Sequence, residues 1–388
     1  MSGTDPSDLF LADALRRLFN SEPVEWPSGL PAETSDLTAF AKRIEFHGIA
    51  YLLHSHADQL IGWPEHLLDG IADEARISAL WEATHAKAIS KLIETLEKAG
   101  AETVLAKVTA LAYSLYPQAA ARRRGDTDLL VRERDLDAAR KILLSLGWYR
   151  KDDPHGLNYQ EGWLCEAAGH FVHALDLHWQ ASDRPMLQEI LSTERLFANR
   201  RALPRLGPHA HMSDLPLTMI HGAINQEWHL WHGYLVGDDH VKGARRLIWS
   251  LDFDLMARGM NQADWSALTL VCREFGIGPM IARTLREAAG DLATPLPAQI
   301  ISDLGSQPAN NDLGQYLSTT SSLKLFWLDL RAARDWRQRI GIFASRAFPP
   351  RDHLIKKYPR QAGWPRALLQ CRFVLDTSAR LMHRMISR

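Results

Sequence analysis

Residues 122–131 read Arg-Arg-Arg-Gly-Asp-Thr-Asp-Leu-Leu-Val, and this stretch is the most informative in the chain. Asp126 and Asp128 stand one residue apart at the start of an apolar run that is typical of a strand. In a strand, residues i and i+2 point to the same face, so both carboxylates converge on one point. Paired oxygen ligands beside positive charge suit a Mg²⁺–polyphosphate complex. A strand edge with two solvated aspartates would show the same local pattern, so other residues must distinguish the two readings.

The composition is that of an ordinary globular protein. The chain has 388 residues, 46% of them apolar and 23% charged, which allows two or three domains. No apolar run reaches the roughly 20 residues that span a bilayer, and the first residues lack the pattern of a secretory signal. Cys165, Cys272 and Cys371 are far apart and show no paired zinc or dithiol spacing. We therefore expect a cytoplasmic protein without a membrane span.

The charge is distributed unevenly. Residues 331–388 contain 14 Lys or Arg against three Asp, a balance of +11, so a total of −1 leaves about −12 on the rest. A basic tail of this strength is consistent with a solvated helix surface, with a cover for an acidic domain of the same chain, or with a site for a polyanion such as nucleotide, nucleic acid or anionic lipid. The sequence does not choose among these.

Hydrophobic periodicity divides the chain into three regions. Helical spacing dominates residues 1–100, strands alternate with helices over 101–200, and helical spacing returns over 201–388, which ends in the basic tail. The predicted fold is therefore α+β, with a small mixed-sheet core flanked by N- and C-terminal helical regions. Strands are expected at 103–108, 126–131, 148–151, 164–167 and 171–179. Helices are expected at 109–116, 134–146, 214–232, 241–259, 262–273, 278–289 and 323–345.

A third carboxylate lies in the predicted strand Ala-Leu-Asp-Leu-His-Trp (174–179). Asp176 stands between two leucines and should occupy the opposite face from them, together with His178. A mid-strand aspartate is costly unless it is paired or binds a metal. Two metal ions held by three carboxylates can neutralise a transferred phosphate and align an attacking hydroxyl. A hydrogen-bonded structural carboxylate is the alternative for Asp176 alone.

These motifs carry a family resemblance. The segment 125–131, followed by a helix and Gly-Trp-Tyr at 147–149, resembles the DxD segment of the nucleotidyltransferase superfamily. With the downstream Asp-Leu-His-Trp at 176–179, it is similar to a bacterial group described as uncharacterised nucleotidyltransferases. A later helical His and an Arg-Leu-x-Trp-x-x-Asp element have counterparts in His221 and residues 246–252. The resemblance covers about 90–360.

The resemblance implies an enzyme with a metal centre. Asp126, Asp128 and Asp176 would bind Mg²⁺ or Mn²⁺, and the enzyme would transfer a nucleoside monophosphate from an NTP with release of pyrophosphate. The acceptor is not identified and could be a sugar, a peptide, a protein or an RNA. Two alternatives stay open: a non-catalytic member that binds a nucleotide or polyanion, and a sugar-phosphate or phosphoryl transferase that uses the same metal site.

One departure concerns the loop that should hold the phosphates. The family has Lys-Gly before the DxD strand, whereas this chain has Lys107-Val108-Thr109. Valine resists the positive φ and close backbone approach that glycine allows. Either the loop is rebuilt around Thr109, or nucleotide binding is weakened. Lys107, Thr109, Arg124 and His178 are the expected nucleotide or substrate contacts.

Overall fold

The N-terminal region consists mainly of helices. The computed structural model describes residues 5–30, 34–151, 159–237, 239–349 and 351–386. Its elements up to residue 98 are α1 (Pro6–Phe19), β1 (Val24–Glu25), α2 (Thr34–His47), α3 (Ala50–His54), β2 (Leu60–Ile61) and α4 (Glu65–Lys98). The 34-residue α4 ends before Gly100, whose positive φ of 79° favours glycine and stops the helix.

The central region forms a mixed sheet with short helices. Its elements are β3 (Thr103–Ala106), α5 (Lys107–Ser114), β4 (Asp126–Val131), α6 (Leu136–Ser145), β5 (Tyr149–Arg150), β6 (Gln160–Glu166), β7 (Val172–His178), α7 (Pro185–Gln188), α8 (Thr193–Ala198), β8 (Arg200–Ala202) and β9 (His211–Ser213). The seven strands lie in the order β5-β6-β7-β4-β3-β9-β8. β4 runs parallel to β7 and antiparallel to β3, so it occupies the middle of the sheet.

The C-terminal region returns to helices, with one hairpin. Its elements are α9 (Leu215–His232), β10 (Tyr234–Val236), β11 (Asp239–Val241), α10 (Leu247–Gly259), α11 (Gln262–Phe275), α12 (Gly278–Leu292), α13 (Ala298–Ser306), α14 (Asn311–Ser318), α15 (Ser322–Ala332), α16 (Trp336–Ala347), α17 (Arg351–Lys357) and α18 (Arg366–Ile386). The predicted α+β fold with helical flanks is confirmed.

Several predicted elements differ from the observed ones. The strand expected at 164–167 is part of β6, which begins four residues earlier, at Gln160. The strand expected at 103–108 ends at Ala106, because Lys107 already begins α5. The helix expected at 241–259 begins only at Leu247, since a β10–β11 hairpin precedes it. The helix expected at 323–345 is two helices. The second, α16, has its own N-terminal cap, because the Asp335 side chain accepts a hydrogen bond from the backbone N–H of Gln338.

One hydrophobic cluster links the three regions. It includes Leu15 of α1, Leu92 of α4, Leu129 of β4 and Leu285 of α12, all fully or almost fully buried. The sheet also continues through β9, which lies beyond residue 200. The division of the chain into three domains at residues 100 and 200 stays a prediction. Among the described residues, no helix combines the length and apolar character needed to cross a bilayer.

Candidate active site

Three carboxylates belong to one face of the two central strands. β4 pairs with β7 in a register that places Asp128 directly opposite Asp176. Asp126 precedes Asp128 by two residues and therefore shares its face. On the other face, Leu175 and Leu177 of β7 are fully buried. Asp128 is itself only 5% exposed, which excludes the reading of both aspartates as solvated strand-edge residues.

His178 joins this cluster. Ligand atoms of Asp128, Asp176 and His178 all lie within 4.8 Å of one another. The Nε2 of His178 lies 2.8 Å from Oδ1 of Asp128, and the side-chain amide of Gln160 donates to Asp176 at 3.3 Å. Asp126 lies at the exposed start of β4 and is not part of the closest set. The buried Asp128 and the partly buried Asp176 are thus held by neighbouring side chains, while Asp126 is exposed at the start of the strand.

Lys107 brings a positive charge to the same point. Its Nζ lies 2.5 Å from Oδ1 of Asp128, because β3 and β4 pair Ala106 with Asp128 and Lys107 directly follows Ala106. The Asp128 charge raises the pKa of Lys107, although burial alone would lower it. The lysine is therefore held as a cation at the carboxylates, where a phosphate group would also be attracted.

The unusual backbone lies at Lys107 and not at Val108. Lys107 has a φ of 51°, in the left-handed region that non-glycine residues rarely occupy. Val108 is not among the positive-φ residues and lies in the first turn of α5. The expectation that a valine would have to resist a positive φ is thus wrong for this chain. In this chain the left-handed residue is Lys107, directly before Val108.

The three carboxylates have different pKa values. Local desolvation and then the charge of Asp128 raise the pKa of Asp126 to about 6. The same two causes raise the pKa of Asp176. Burial would also raise the pKa of Asp128, but Lys107 and His178 outweigh it and hold that pKa well below its usual range. Three carboxylates with one nearby ammonium group leave an excess of negative charge, which a divalent cation would relieve.

The donor chemistry fits a hard divalent metal. Carboxylate oxygens are the ligands that Mg²⁺ and Mn²⁺ prefer, and carboxylates from two adjacent parallel strands supply them here. Asp126, Asp128 and Asp176 would hold the metal. His178 would orient Asp128 through the contact described above.

His221 of α9 lies beside this cluster. Burial first, and then the positive charge of Lys107, lowers its pKa to about 3, so the ring is neutral at neutral pH. His178 and Asp128 also act on it electrostatically. The sequence singled out His221 only as a family counterpart on a helix. Its place near the carboxylates follows from the packing of α9 against α5, the helix that Lys107 begins.

A buried polar network supports β4 from the opposite side. The ring of His85 on α4 contacts the Thr127 hydroxyl at 2.6 Å, and that hydroxyl lies 3.2 Å from the one of Thr109. Thr109 donates to the backbone carbonyl of Asp126 at 3.4 Å. Arg124 donates to Nδ1 of His85 at 3.0 Å, which leaves Nε2 of His85 as the donor to Thr127. The residue between the two aspartates is therefore tied to α4.

This network accounts for two of the predicted contacts. Arg124 and Thr109 were expected to contact phosphates. Arg124 instead forms an ion pair with Glu82 at 2.7 Å, and its side chain is only 2% exposed. Thr109 is buried and bonds to β4. Both side chains lie on the side of β4 that faces α4, so the structure brings only Lys107 and His178 of the four expected contacts to the carboxylates.

The two other arginines of the run have separate roles. Arg122 is buried and forms a 2.7 Å ion pair with Asp252 of α10, and the Tyr116 hydroxyl donates to the same carboxylate at 2.7 Å. Arg123 is half-exposed and pairs with Glu74. Three adjacent arginines thus attach one loop to α10 and to α4. Neither pairing could be inferred from local sequence.

The fold and site define a protein of the nucleotidyltransferase class: a mixed sheet in which parallel strands present an Asp-x-Asp pair and a third aspartate. Residues 33–293 match the family described as "Uncharacterised nucleotidyltransferase", and the chain belongs to that family. The suspected family is confirmed, although the match begins nearer the N terminus and ends earlier than the 90–360 expected. A search of curated proteins finds no significant match to the chain.

Proposed function

We propose that this protein is a divalent-metal-dependent nucleotidyltransferase. It moves a nucleoside monophosphate from an NTP to a hydroxyl or phosphate acceptor and releases pyrophosphate. The observation that carries the proposal is the register of Asp128 with Asp176 beside the Lys107 ammonium. This arrangement combines metal ligands with a cation for phosphate.

Asp126, Asp128 and Asp176 would hold Mg²⁺ or Mn²⁺, with Asp176 completing a second metal position. When bound, such ions neutralise phosphate charge and align the incoming oxygen. His178 fixes the orientation of Asp128 from 2.8 Å. Lys107 stands at the junction of β3 and α5, where its ammonium can leave Asp128 and contact a phosphate oxygen of the nucleotide.

The reaction exchanges one phosphorus–oxygen bond for another. The acceptor oxygen forms a bond to the α-phosphorus, and the bond from that phosphorus to the bridging oxygen breaks. Pyrophosphate leaves with the electron pair. For a hydroxyl acceptor, the proton passes to Asp176, which is only partly buried and lies opposite Asp128. Lys107 offsets negative charge on the leaving group.

Arg124, Thr109 and His85 act indirectly in this proposal. His85 bonds to Thr127, Thr109 bonds to the Asp126 carbonyl, and Arg124 holds the His85 ring. Together these contacts keep the Asp-Thr-Asp segment in one conformation. Rigid support of this kind keeps metal ligands in a productive geometry. These side chains would therefore position the carboxylates without contacting the nucleotide.

The test is a transfer assay with each of the four NTPs carrying a label on the α-phosphate. Wild-type protein is incubated with Mg²⁺ and fractions of a cell extract as the source of acceptor. We expect label to pass to one class of product with Mg²⁺ and not with EDTA. Asp176→Ala should lose transfer, whereas Asp183→Ala, which changes a half-exposed aspartate, should retain it.

Two outcomes would contradict the proposal. Transfer of a γ-label without the α-label would assign phosphoryl transfer to the site. Calorimetric binding of Mg²⁺–NTP that is equal in wild type and Asp176→Ala, with no transfer by either, would assign a non-catalytic binding role.

A further inference from the structure

A basic surface with exposed apolar side chains lies beyond the family-matched residues. Among the described residues, ten of the 21 large apolar side chains that are exposed fall between positions 323 and 375. The same end of the chain carries the +11 charge balance of residues 331–388. Exposed apolar groups within a strongly basic segment indicate an interaction surface.

The clearest part of this surface is α16. Trp336, Ile340 and Phe343 are 65%, 59% and 61% exposed, and their i, i+4, i+7 spacing places them on one face of the helix. Arg337 and Arg339 are also exposed beside them. The helix contains no acidic residue. We call these five side chains the α16 surface.

The opposite side of α16 is attached to the rest of the protein. Ile342 is buried. The side-chain amide of Gln338 donates to the side-chain oxygen of Gln188 at 2.8 Å, and Arg334 donates to the Gln188 carbonyl at 3.2 Å. These contacts join α16 to the segment at α7. The Phe343 ring also lies 6.3 Å from the Phe326 ring of α15, but every side chain of the apolar stripe stays more than half exposed.

We propose that the α16 surface docks on an anionic lipid bilayer, with the helix lying in the interface. Trp, Ile and Phe on one face with Arg beside them is the composition of helices that bind in the headgroup region. The positive charge of the tail complements anionic headgroups. The compensating charge of about −12 on the rest of the chain would direct the remainder of the protein away from the membrane.

Two other occupants fit less well. A second copy of the chain would bring two tails of +11 together, which charge repulsion opposes. A single-stranded nucleic acid would use Trp336 and Phe343 for stacking, but Ile340 lies between them on the stripe and has no ring. An apolar bilayer interface accommodates all three side chains.

The experiment is co-sedimentation of the full chain with vesicles. One set consists of phosphatidylcholine alone, and the other of phosphatidylcholine mixed with phosphatidylglycerol. We expect binding to the mixed vesicles only, weakened by added salt because screening reduces charge attraction. Trp336→Ser combined with Phe343→Ser should lower the partition coefficient by about tenfold or more. Arg337→Gln combined with Arg339→Gln should lower it by a similar factor.

The matched control is Leu144→Ser combined with Leu270→Ser, which removes two equally exposed apolar side chains from α6 and α11. This variant should bind vesicles as wild type does. Circular dichroism should show unchanged helix content in every variant, because all substituted residues are exposed. The readout does not depend on nucleotidyl transfer, so its result is separate from the proposed function.

Three results would overturn the inference. The first is equal binding to neutral and anionic vesicles, or to neither. The second is binding that persists in the Trp336→Ser/Phe343→Ser variant. The third is evidence that the surface binds another partner. Such evidence would be a dimer that dissociates in that variant without any vesicle binding, or RNA binding that survives Ile340→Ser.

Discussion

Asp128 on β4 and Asp176 on β7 are register partners in two adjacent parallel strands, and this relationship creates the candidate metal site. Each aspartate alone would be a buried or partly buried charge that destabilises its strand. Together with Lys107 and His178 they form a cluster in which both side chains contact Oδ1 of Asp128. Four predictions follow from this arrangement and its support.

Asp128→Asn should lower nucleotidyl transfer by about a thousandfold or more, since it removes the charge shared by the metal and Lys107. Asn keeps the shape and one acceptor oxygen, so the far-ultraviolet circular dichroism spectrum should not change. Asp126→Asn should behave in the same way. Asp137→Asn is the control, because that carboxylate is 86% exposed on α6. Full activity in either site variant would remove the metal hypothesis.

Val108→Gly restores the residue of the family motif, and we expect no stronger nucleotide binding from it. The positive φ is at Lys107, so glycine at 108 relieves no strain. It should lower the free energy of unfolding by about 1 kcal/mol, as glycine does within a helix. Calorimetry of Mg²⁺–NTP binding and urea unfolding test the two effects. A tenfold gain in affinity would show that the valine side chain obstructs the phosphates.

Thr127→Val should weaken both the fold and the site. The substitution leaves the buried His85 Nε2 without its acceptor at 2.6 Å, which costs about 1–3 kcal/mol of unfolding free energy. We expect kcat to fall more than KM rises, since the carboxylates on either side lose their support. Thr127→Ser keeps the hydroxyl and should retain most of both properties. Equal kcat in the Thr127→Val variant and the wild type would show that the hydrogen-bond network around Thr127 is only structural.

Acid should destabilise the protein through His85. Burial, with a further contribution from Arg124, lowers the pKa of this histidine to about 4, although Glu82 opposes the shift. Between about pH 6.5 and pH 4, the unfolded chain binds a proton at this position that the native state does not bind. Stability contributed by neutral His85 is therefore present above about pH 6.5 and is lost as the pH falls, by up to about 3 kcal/mol.

Urea unfolding across this pH range measures the effect. Other buried histidines contribute in the same direction. The quantity compared between variants is therefore the slope of unfolding free energy against pH. His85→Gln should show a shallower loss of stability with acid than wild type, whereas His54→Gln, at an exposed position on α3, should retain the wild-type slope. Parallel curves for wild type and His85→Gln would contradict the assignment.

Local patterns predicted much of the sheet and its carboxylates. The strand at 126–131 has the predicted bounds, and β7 at Val172–His178 is within one residue of the prediction at each end. Period-two alternation is a property of consecutive residues, so it can be read without a partner strand. Helical spacing likewise indicated α9, α11 and α12, because an amphipathic stripe depends on the sequence of one element alone.

The supporting contacts were not predictable in this way. His85 and Thr127 belong to α4 and β4, and Arg122 and Asp252 to a loop and α10. Nothing in a run of three arginines indicates which one is buried, since each choice depends on acidic residues far along the chain. The left-handed turn at Lys107 was also not predictable, because non-glycine residues rarely have a positive φ and lysine gives no local signal for one.

The sequence by itself determined that two aspartates share a strand face, that a third lies on another strand, and that the chain resembles a nucleotidyltransferase. These follow from periodicity and from short motifs, which are local. Only the tertiary structure decided that Asp128 lies opposite Asp176, that Lys107 contacts Asp128 and that Arg124 pairs with Glu82. Strand order, register and helix packing arise from apolar burial over the whole chain, so contacts between distant residues are settled only when the chain folds.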